Sequence, residues 1–341
     1  MTEFTLIDRY CRDVGVAHAE TRIAVGDDAA VISVPEGMEL AISVDTMVEG
    51  VHFFPQVDPS KLAHKLLAVN LSDMAAMGAE PKWATLALTL RDANDVWLKA
   101  FSESLDQSAK RYGVQLIGGD TTQGPLSLSM QIMGLTPKGA ALTRVKAKPG
   151  DDVYVTNTIG DAALGLAYLK YDNSSYDNSP YDSTSTGIEL DDDRKARLTR
   201  ALELPEPQIA VGQAILKYAG ACIDISDGLV ADLSHIAERS SVSIELDVNR
   251  IPLSEDYQNY INQGGGLELA LTGGDDYQLA FTVASEFAEG IRDLSSSLDI
   301  SLSKIGVVRE RGLEPVSLHA SGEDYSLDLA AGYQHFDETK N

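Results

Sequence analysis

The sequence predicts an α/β protein built as two domains. Short β-type runs alternate with amphipathic helical stretches through the first half, and a Lys148-Pro149-Gly150 turn is followed by a second strand–helix series. Aspartates recur beside the ends of these elements, where α/β folds bind their ligands. With 341 residues, 44% of them apolar, the chain is long enough for two ordinary cores.

Taken in order, "LAISVD" (40–45) alternates, with Leu40, Ile42 and Val44 on one face and Ser43 and Asp45 on the other. "DPSKLAHKLLAVNLSDMAAMG" predicts a helix with Asp58 as N-cap, Pro59 at the first helical position and Gly78 at the end. Asn70 and Asp73 share one face of it, among Leu66, Leu67, Leu71 and Met74. "WATLALTL" (83–90) reads as a buried strand, 94–112 as a helix carrying Trp97, Phe101, Leu105 and Tyr112, and "LSLSMQIMG" (126–134) as a half-buried strand. Beyond the turn come a strand "VYVT" and a helix over 161–170. The tract "YDNSSYDNSPYDSTSTGIELDDD" (171–193) has no aliphatic residue before Ile188 and reads as a solvated surface insert. A helix near 207–219, the strand "ACIDIS" and the helix "DGLVADLSHIAER" follow, the last with Leu229, Leu233 and Ile236 on one stripe.

Lys+Arg total 27 against Asp+Glu 52, a formal charge of −25. So acidic a surface repels nucleic acid and anionic membrane, and any phosphate chemistry on it depends on bound cations. Cys11 and Cys222 are the only cysteines, too few for a disulfide framework or a thiolate cluster. No apolar run spans a bilayer and the N-terminus lacks a signal pattern, so the chain reads as soluble and cytoplasmic.

Six places carry aspartate just after, or within, an apolar element: Asp27-Asp28, Asp45, Asp73, Asp120, Asp224 with Asp227, and Asp275-Asp276. Hard oxygen ligands without paired His or Cys suit Mg²⁺ rather than zinc, and no stretch follows the EF-hand loop. "IGGDTT" offers backbone N–H groups to phosphate, and "ISDG" opens a helix whose N-terminus can do the same. The usual nucleotide signatures are missing. "GDAALGLAY" has the two glycines of a P-loop, but Leu166 stands where lysine is required. Read singly, the residues have plainer roles. Asp27-Asp28 and Asp151-Asp152 are turn residues, Asp232 is solvated or structural, His52 faces solvent, Arg144 is a surface charge and Tyr112 packs on the core.

As a set they do more. "GDDAAVI", "SVDTMVEGVHF", "NLSDMAAMGAEPKWATLAL", "LIGGDTTQGPL", "LTRVKAKPGD", "DISDGLVADL", "TGGDDYQLAF" and "GYQHF" resemble the thiamine-monophosphate kinase family. That family lies in the aminoimidazole-ribonucleotide-synthetase-like superfamily of ATP users, and the resemblance runs from about residue 4 to 336. It implies a two-domain synthetase-like fold with an N-terminal metal- and ATP-binding, dimerising domain (1–140) and a C-terminal α/β domain (148–336), with the active site in the cleft between them. It implies Mg²⁺-assisted transfer of phosphate from ATP to thiamine monophosphate by a homodimer. Asp28, Ser43, Asp45, Asp73, Asp120, Asp224 and Asp227, with the Val44 carbonyl, would hold several Mg²⁺ ions. Tyr112, Gly119-Asp120 as a turn, Arg144 and Ser226 would bind ATP, while His52, Asp275 and Tyr333 would bind thiamine monophosphate. Asp275 departs from the family, which usually carries glutamate there, one methylene longer. Two alternatives stay open at this level: another ATP-using member of the superfamily, such as an imidazole-ribonucleotide synthetase, and a non-catalytic Mg²⁺-binding scaffold.

Overall fold

The computed structural model describes residues 2–172 and 191–325, without the side chains of 171 and 172. Tyr333 and most of the 171–193 insert lie outside the described residues. The chain divides into two compact units, Met1–Ala141 and Leu142–Asn341. Among the described residues, no helix is long and apolar enough to cross a membrane.

The first unit contains α1 (Glu3–Tyr10), β1 (Thr21–Ile23), β2 (Val31–Ile32), β3 (Met38–Val48), α2 (Pro59–Ala76), β4 (Glu80–Leu90), α3 (Asp95–Tyr112), β5 (Gln115–Gln123) and β6 (Ser127–Pro137). Helix α2 starts as its sequence dictates. The Asp58 carboxylate accepts the Ser60 N–H, and Pro59 fills a position whose N–H has no helical partner. Four strands form one sheet in the order β3-β6-β4-β5, antiparallel except for the β4–β5 pair. The helix packs on one face of it, over Leu128, Met130 and Ile132 of β6, all wholly buried.

The alternation of β3 is present, but its faces are the reverse of the ordinary hydrophobic-in pattern. Ser43, Asp45 and Met47 turn toward α2, while Ile42 and Val44 stay 55% and 59% exposed. Part of this outer face is covered. Trp83, Ile117, Met133 and Leu135 are buried there under Ala24, Ala30, Ile32, Met38 and Leu40.

The second unit contains β7 (Asp151–Thr156), α4 (Asp161–Asp172), α5 (Asp192–Glu203), α6 (Ile209–Ile215), β8 (Ala219–Asp224), α7 (Leu229–Ser240), β9 (Ser243–Asp247), α8 (Glu255–Asn262), α9 (Glu268–Thr272), β10 (Leu279–Ala284), α10 (Ala288–Leu298), β11 (Leu302–Arg309), β12 (Val316–Ala320) and β13 (Glu323–Asp324). Among the described residues, seven strands form a sheet in the order β13-β12-β9-β11-β7-β10-β8, with β9–β12 its only parallel pair. Strand β7 is buried along its whole length. The expected stripe of α7, Leu229, Leu233 and Ile236, is wholly buried in the core beside Ile223, Ile244 and Leu246.

Several local expectations are corrected. The insert is shorter than 171–193, because α4 runs through Asp172 and Asp191 already caps α5 by accepting the Arg194 N–H. The helix near 207–219 shrinks to α6, since Pro205 and Pro207 hold the chain extended before it and Ala219 pairs with Val283 in the sheet. Asp151 and Asp152 are buried strand residues rather than solvated turn residues. The Asp152 carboxylate meets Lys304 Nζ at 2.6 Å, and Asp151 accepts the Lys148 N–H at 2.9 Å, so it braces the turn from within the strand. Gly119 and Asp120 lie inside β5, not in a turn. A Cβ on Gly119 would stand 1.9 Å from the Leu86 carbonyl oxygen, so only glycine lets β5 pass there.

Candidate active site

The inner face of β3 and the facing side of α2 carry the first group of functional side chains. Ser43 Oγ donates to Asp73 Oδ2 at 2.5 Å, tying strand to helix through two oxygen donors. One turn earlier on α2, the wholly buried Asn70 donates from Nδ2 to the Leu66 carbonyl, and its Oδ1 has no hydrogen-bond partner among the described residues. Asp45 follows two residues after Ser43 on the same face, half-buried, in the row Asp45–Met130–Leu86–Gly119. The adjacent row, Thr46–Ser129–Ala87–Asp120, lies on the outer face, where Asp120 is exposed. Asp45 and Asp120 therefore sit on opposite edge strands and opposite faces, three strand spacings or ~14 Å apart.

Asp27 and Asp28 are both exposed, and Asp27 Oδ1 accepts the Asp28 N–H at 2.9 Å, so the first carboxylate closes the turn that presents the second. The main chain of Val44 lies on the edge strand β3. His52 Nδ1 accepts the Val48 N–H at 3.0 Å, which in a neutral ring leaves the proton on Nε2. Tyr112 ends α3, half-buried, with the Arg111 guanidinium 5.0 Å from its ring centre. Arg144 is exposed, and its carbonyl accepts the Ser240 hydroxyl at 2.8 Å.

In the second unit, strands β8 and β10 pair antiparallel. The pairing brings the C-terminal end of β8, with Asp224, beside the loop that enters β10, with Asp275. Residues 224–228 and 272–278 are laced together: Asp275 N–H to Ser226 O at 2.9 Å, Tyr277 N–H to Ile225 O at 2.8 Å, and Ile225 N–H to Gln278 O at 2.7 Å. Asp275 (φ 68°) and Tyr277 (φ 50°) both hold left-handed backbone, strain of the kind that persists where function over-determines geometry. The Tyr277 hydroxyl donates to Asp275 Oδ1 at 3.0 Å.

Two acids hold backbone amides here, Asp232 in the structural one of the two roles its sequence allowed. Asp232, in the first turn of α7 and buried, accepts the N–H groups of Ser226, Asp227 and Gly228 on one oxygen, at 3.0, 3.1 and 3.1 Å. Burial, then the charges of Asp224 and Asp227, push its carboxyl up to about 7 against those three donors. The amides of Ser226, Asp227 and Gly228 are thus occupied by a carboxylate of the same chain. Asp276 is buried at the start of α4, both oxygens 2.9 Å from the Gly160 N–H, and burial raises its pKa well above the carboxylate range. Lys170, near the other end of α4, is lowered to about 8 by burial, which the negative charge of Asp275 partly offsets. The sequence signal for Asp232 was available: an acid four residues after the glycine that opens a helix.

Among the described residues, no three or more His, Cys, Asp or Glu side chains form a group that could hold a metal ion. In the first unit the register sets Asp45 and Asp120 in adjacent rows, level with each other along the sheet but on opposite faces. The donor chemistry still fits Mg²⁺: it is all oxygen, arranged as small sets such as Ser43–Asp73 and Asp224–Asp227. Mg²⁺ is commonly held by one or two carboxylates, with substrate phosphates and water completing its shell.

A two-unit α/β chain with oxygen-donor sets in each unit defines a class, and comparison with known proteins places it. Residues 26–136 match the AIR synthase related protein N-terminal domain, and 148–318 match the corresponding C-terminal domain. The thiamine-monophosphate kinase of Escherichia coli K12 is 42% identical over 98% of both chains. The crystal structure of thiamine-monophosphate kinase from Stenotrophomonas maltophilia K279a is similar at TM-score 0.78 and 37% identity, covering 90% of this chain and 93% of that one. AaThiL complexed with AMPPCP and TMP follows at TM-score 0.74 and 30% identity, covering 89% of each. The chain belongs to the AIR synthase related family and, within it, to the thiamine-monophosphate kinases.

Proposed function

We propose that this protein transfers the terminal phosphate of ATP to thiamine monophosphate, giving thiamine diphosphate and ADP. The observation that carries the reading is the 42% identity over 98% of both chains to a thiamine-monophosphate kinase. The laced 224–228 and 272–278 loops support it by tying together the backbone segments that carry Asp224, Asp227 and Asp275.

The nucleophile is a phosphate oxygen of thiamine monophosphate, whose second ionisation near pH ~6 leaves it mostly dianionic at neutral pH. It needs no general base, and the chain's task is to bring two polyanions into line. At ~4 Å and an effective dielectric of about 20, each pair of unit charges repels by about 4 kcal/mol. Bound Mg²⁺ would supply the charge that offsets this repulsion. Asp28, Ser43, the Val44 carbonyl, Asp45, Asp73 and Asp120 in the first unit, and Asp224 and Asp227 in the second, would hold it. Tyr112, the Gly119–Asp120 segment, Arg144 and the Ser226 hydroxyl bind ATP. The Ser226 amide is already engaged by Asp232. His52 presents Nε2–H to thiamine monophosphate, and Asp275 and Tyr333 complete that pocket.

The protein works in the cytoplasm as a homodimer that pairs the outer faces of its N-terminal sheets. Ile42 and Val44, both more than half exposed, support that surface. The deciding experiment incubates the protein with ATP, Mg²⁺ and a panel of phosphorylated vitamins and ribotides, and identifies products by mass. Thiamine diphosphate with stoichiometric ADP is expected. Turnover of a ribotide instead would assign a different superfamily reaction, and Mg²⁺ binding without ADP would leave a scaffold.

A further inference from the structure

We infer that Asp232 is the positioning residue of this site, an internal acceptor that sets the 224–228 loop for cations and, through it, the 272–278 loop for substrate. The inference rests on the reading of Asp224 and Asp227 as metal ligands and adds a residue to it. A loop that opens a helix ordinarily directs its amides at a bound anion. Here Asp232 Oδ2 fills that place, taking the N–H groups of Ser226, Asp227 and Gly228. Three consecutive amides held by one oxygen fix the backbone of both residues that flank Asp227. With the donors satisfied, the loop's remaining charge is the carboxylates of Asp224 and Asp227, which attract cations instead of phosphate.

The constraint is passed on by backbone. Ser226 O, whose own amide is held by Asp232, accepts the Asp275 N–H at 2.9 Å, and Ile225 O accepts the Tyr277 N–H at 2.8 Å. Gly228 O in turn accepts the Asp232 N–H at 2.9 Å, so clamp and loop hold each other. Asp232 is buried and acts through residues that meet ligands rather than by meeting them itself.

The test compares Asp232→Ala, Asp232→Asn, Asp232→Glu and Asp227→Asn in the full chain. Mn²⁺ binding is read by electron paramagnetic resonance, with kcat and KM for thiamine monophosphate alongside. Asp232→Asn keeps one acceptor oxygen in place and should hold both properties within about tenfold. Asp232→Ala should weaken Mn²⁺ binding at least about tenfold and lower kcat about a hundredfold, the scale set by an ångström of misplacement. Asp232→Glu keeps the charge at the wrong length and should behave nearly as badly as Ala. Should Asp232→Ala fail to fold, hydrogen exchange in the wild type decides: slow exchange at the amides of 226–228 is expected, and open-loop rates there overturn the inference. Wild-type Mn²⁺ affinity and turnover in Asp232→Ala, with Asp227→Asn impaired, sinks this inference alone. Intact Mn²⁺ binding in Asp227→Asn sinks the metal reading together with it.

Discussion

Gly274→Ala offers the most direct test of the lacing between the two loops of the second unit. A Cβ built there would stand 1.9 Å from the Ser226 carbonyl oxygen and 2.8 Å from its carbon. Both are backbone atoms, so no side chain can rotate aside. The loops would have to separate by about 1.5 Å to reach ordinary contact at 3.4 Å. That movement opens the Asp275–Ser226 and Tyr277–Ile225 hydrogen bonds, now 2.9 and 2.8 Å. Two bonds at about 1 kcal/mol each, with partly buried groups left unsatisfied, give a loss of about 3 kcal/mol. For a unit of this size that lowers the melting temperature by about 6–12 °C. Displacing Asp224, Asp227 and Asp275 by more than 1 Å should also cost about a hundredfold in kcat/KM. Circular dichroism melts and a coupled assay for ADP release measure the two effects. The control is Gly264→Ala, with φ 96° but open space around its Cβ, which should carry only about 1–2 kcal/mol of backbone strain and keep wild-type turnover. If Gly274→Ala melts with the wild type and turns over within threefold of it, the lacing has no functional part. Equal loss of activity in both variants would show the effect to be unspecific.

Three further outcomes follow from the same geometry. Asp73→Asn keeps an acceptor for Ser43 Oγ but removes the charge, so its melting temperature should stay within about 3 °C while turnover falls more than tenfold; near-normal kinetics would remove Asp73 from the metal site. The Arg197 guanidinium holds Asp256 below the usual carboxylate range through bonds of 2.6 and 2.8 Å, tying α5 to α8. A depressed carboxyl stabilises the fold above its unfolded pKa of ~3.9 and loses that contribution as pH falls through the folded value. Arg197→Ala should therefore lower denaturant midpoints at pH 7 and converge on the wild type in strong acid, and an equal deficit at both pH values would exclude this pair as the cause. Lys170, lowered to about 8 by burial, leaves the unfolded chain binding more protons between about pH 8 and its ordinary value near ~10.4. The wild type should therefore gain stability relative to Lys170→Met as pH rises across that window; a constant difference between the two would show that Lys170 is not the group responsible.

The family and the chemistry of the candidate site were legible in the residues, because hard oxygen donors without His or Cys partners already suit Mg²⁺ and long motif blocks name the family. Helix α2 was equally legible. Its cap, its first-turn proline and its terminating glycine act within a few residues of where they stand. What the sequence by itself determined here is local chemistry and period. The two sides of β3, for example, differ because successive side chains point to opposite faces. Only the tertiary structure decided that Ser43 and Asp45 turn inward toward α2 while Ile42 and Val44 stay out, since a period of two does not say which face a distant helix will cover. It likewise decided that Asp45 and Asp120 part company on two faces, and that an antiparallel pair delivers Asp275 to Asp224. Asp232 shows the same division. Its type and spacing were visible, but three amides converging on one oxygen exist only once the chain has turned back at Gly228.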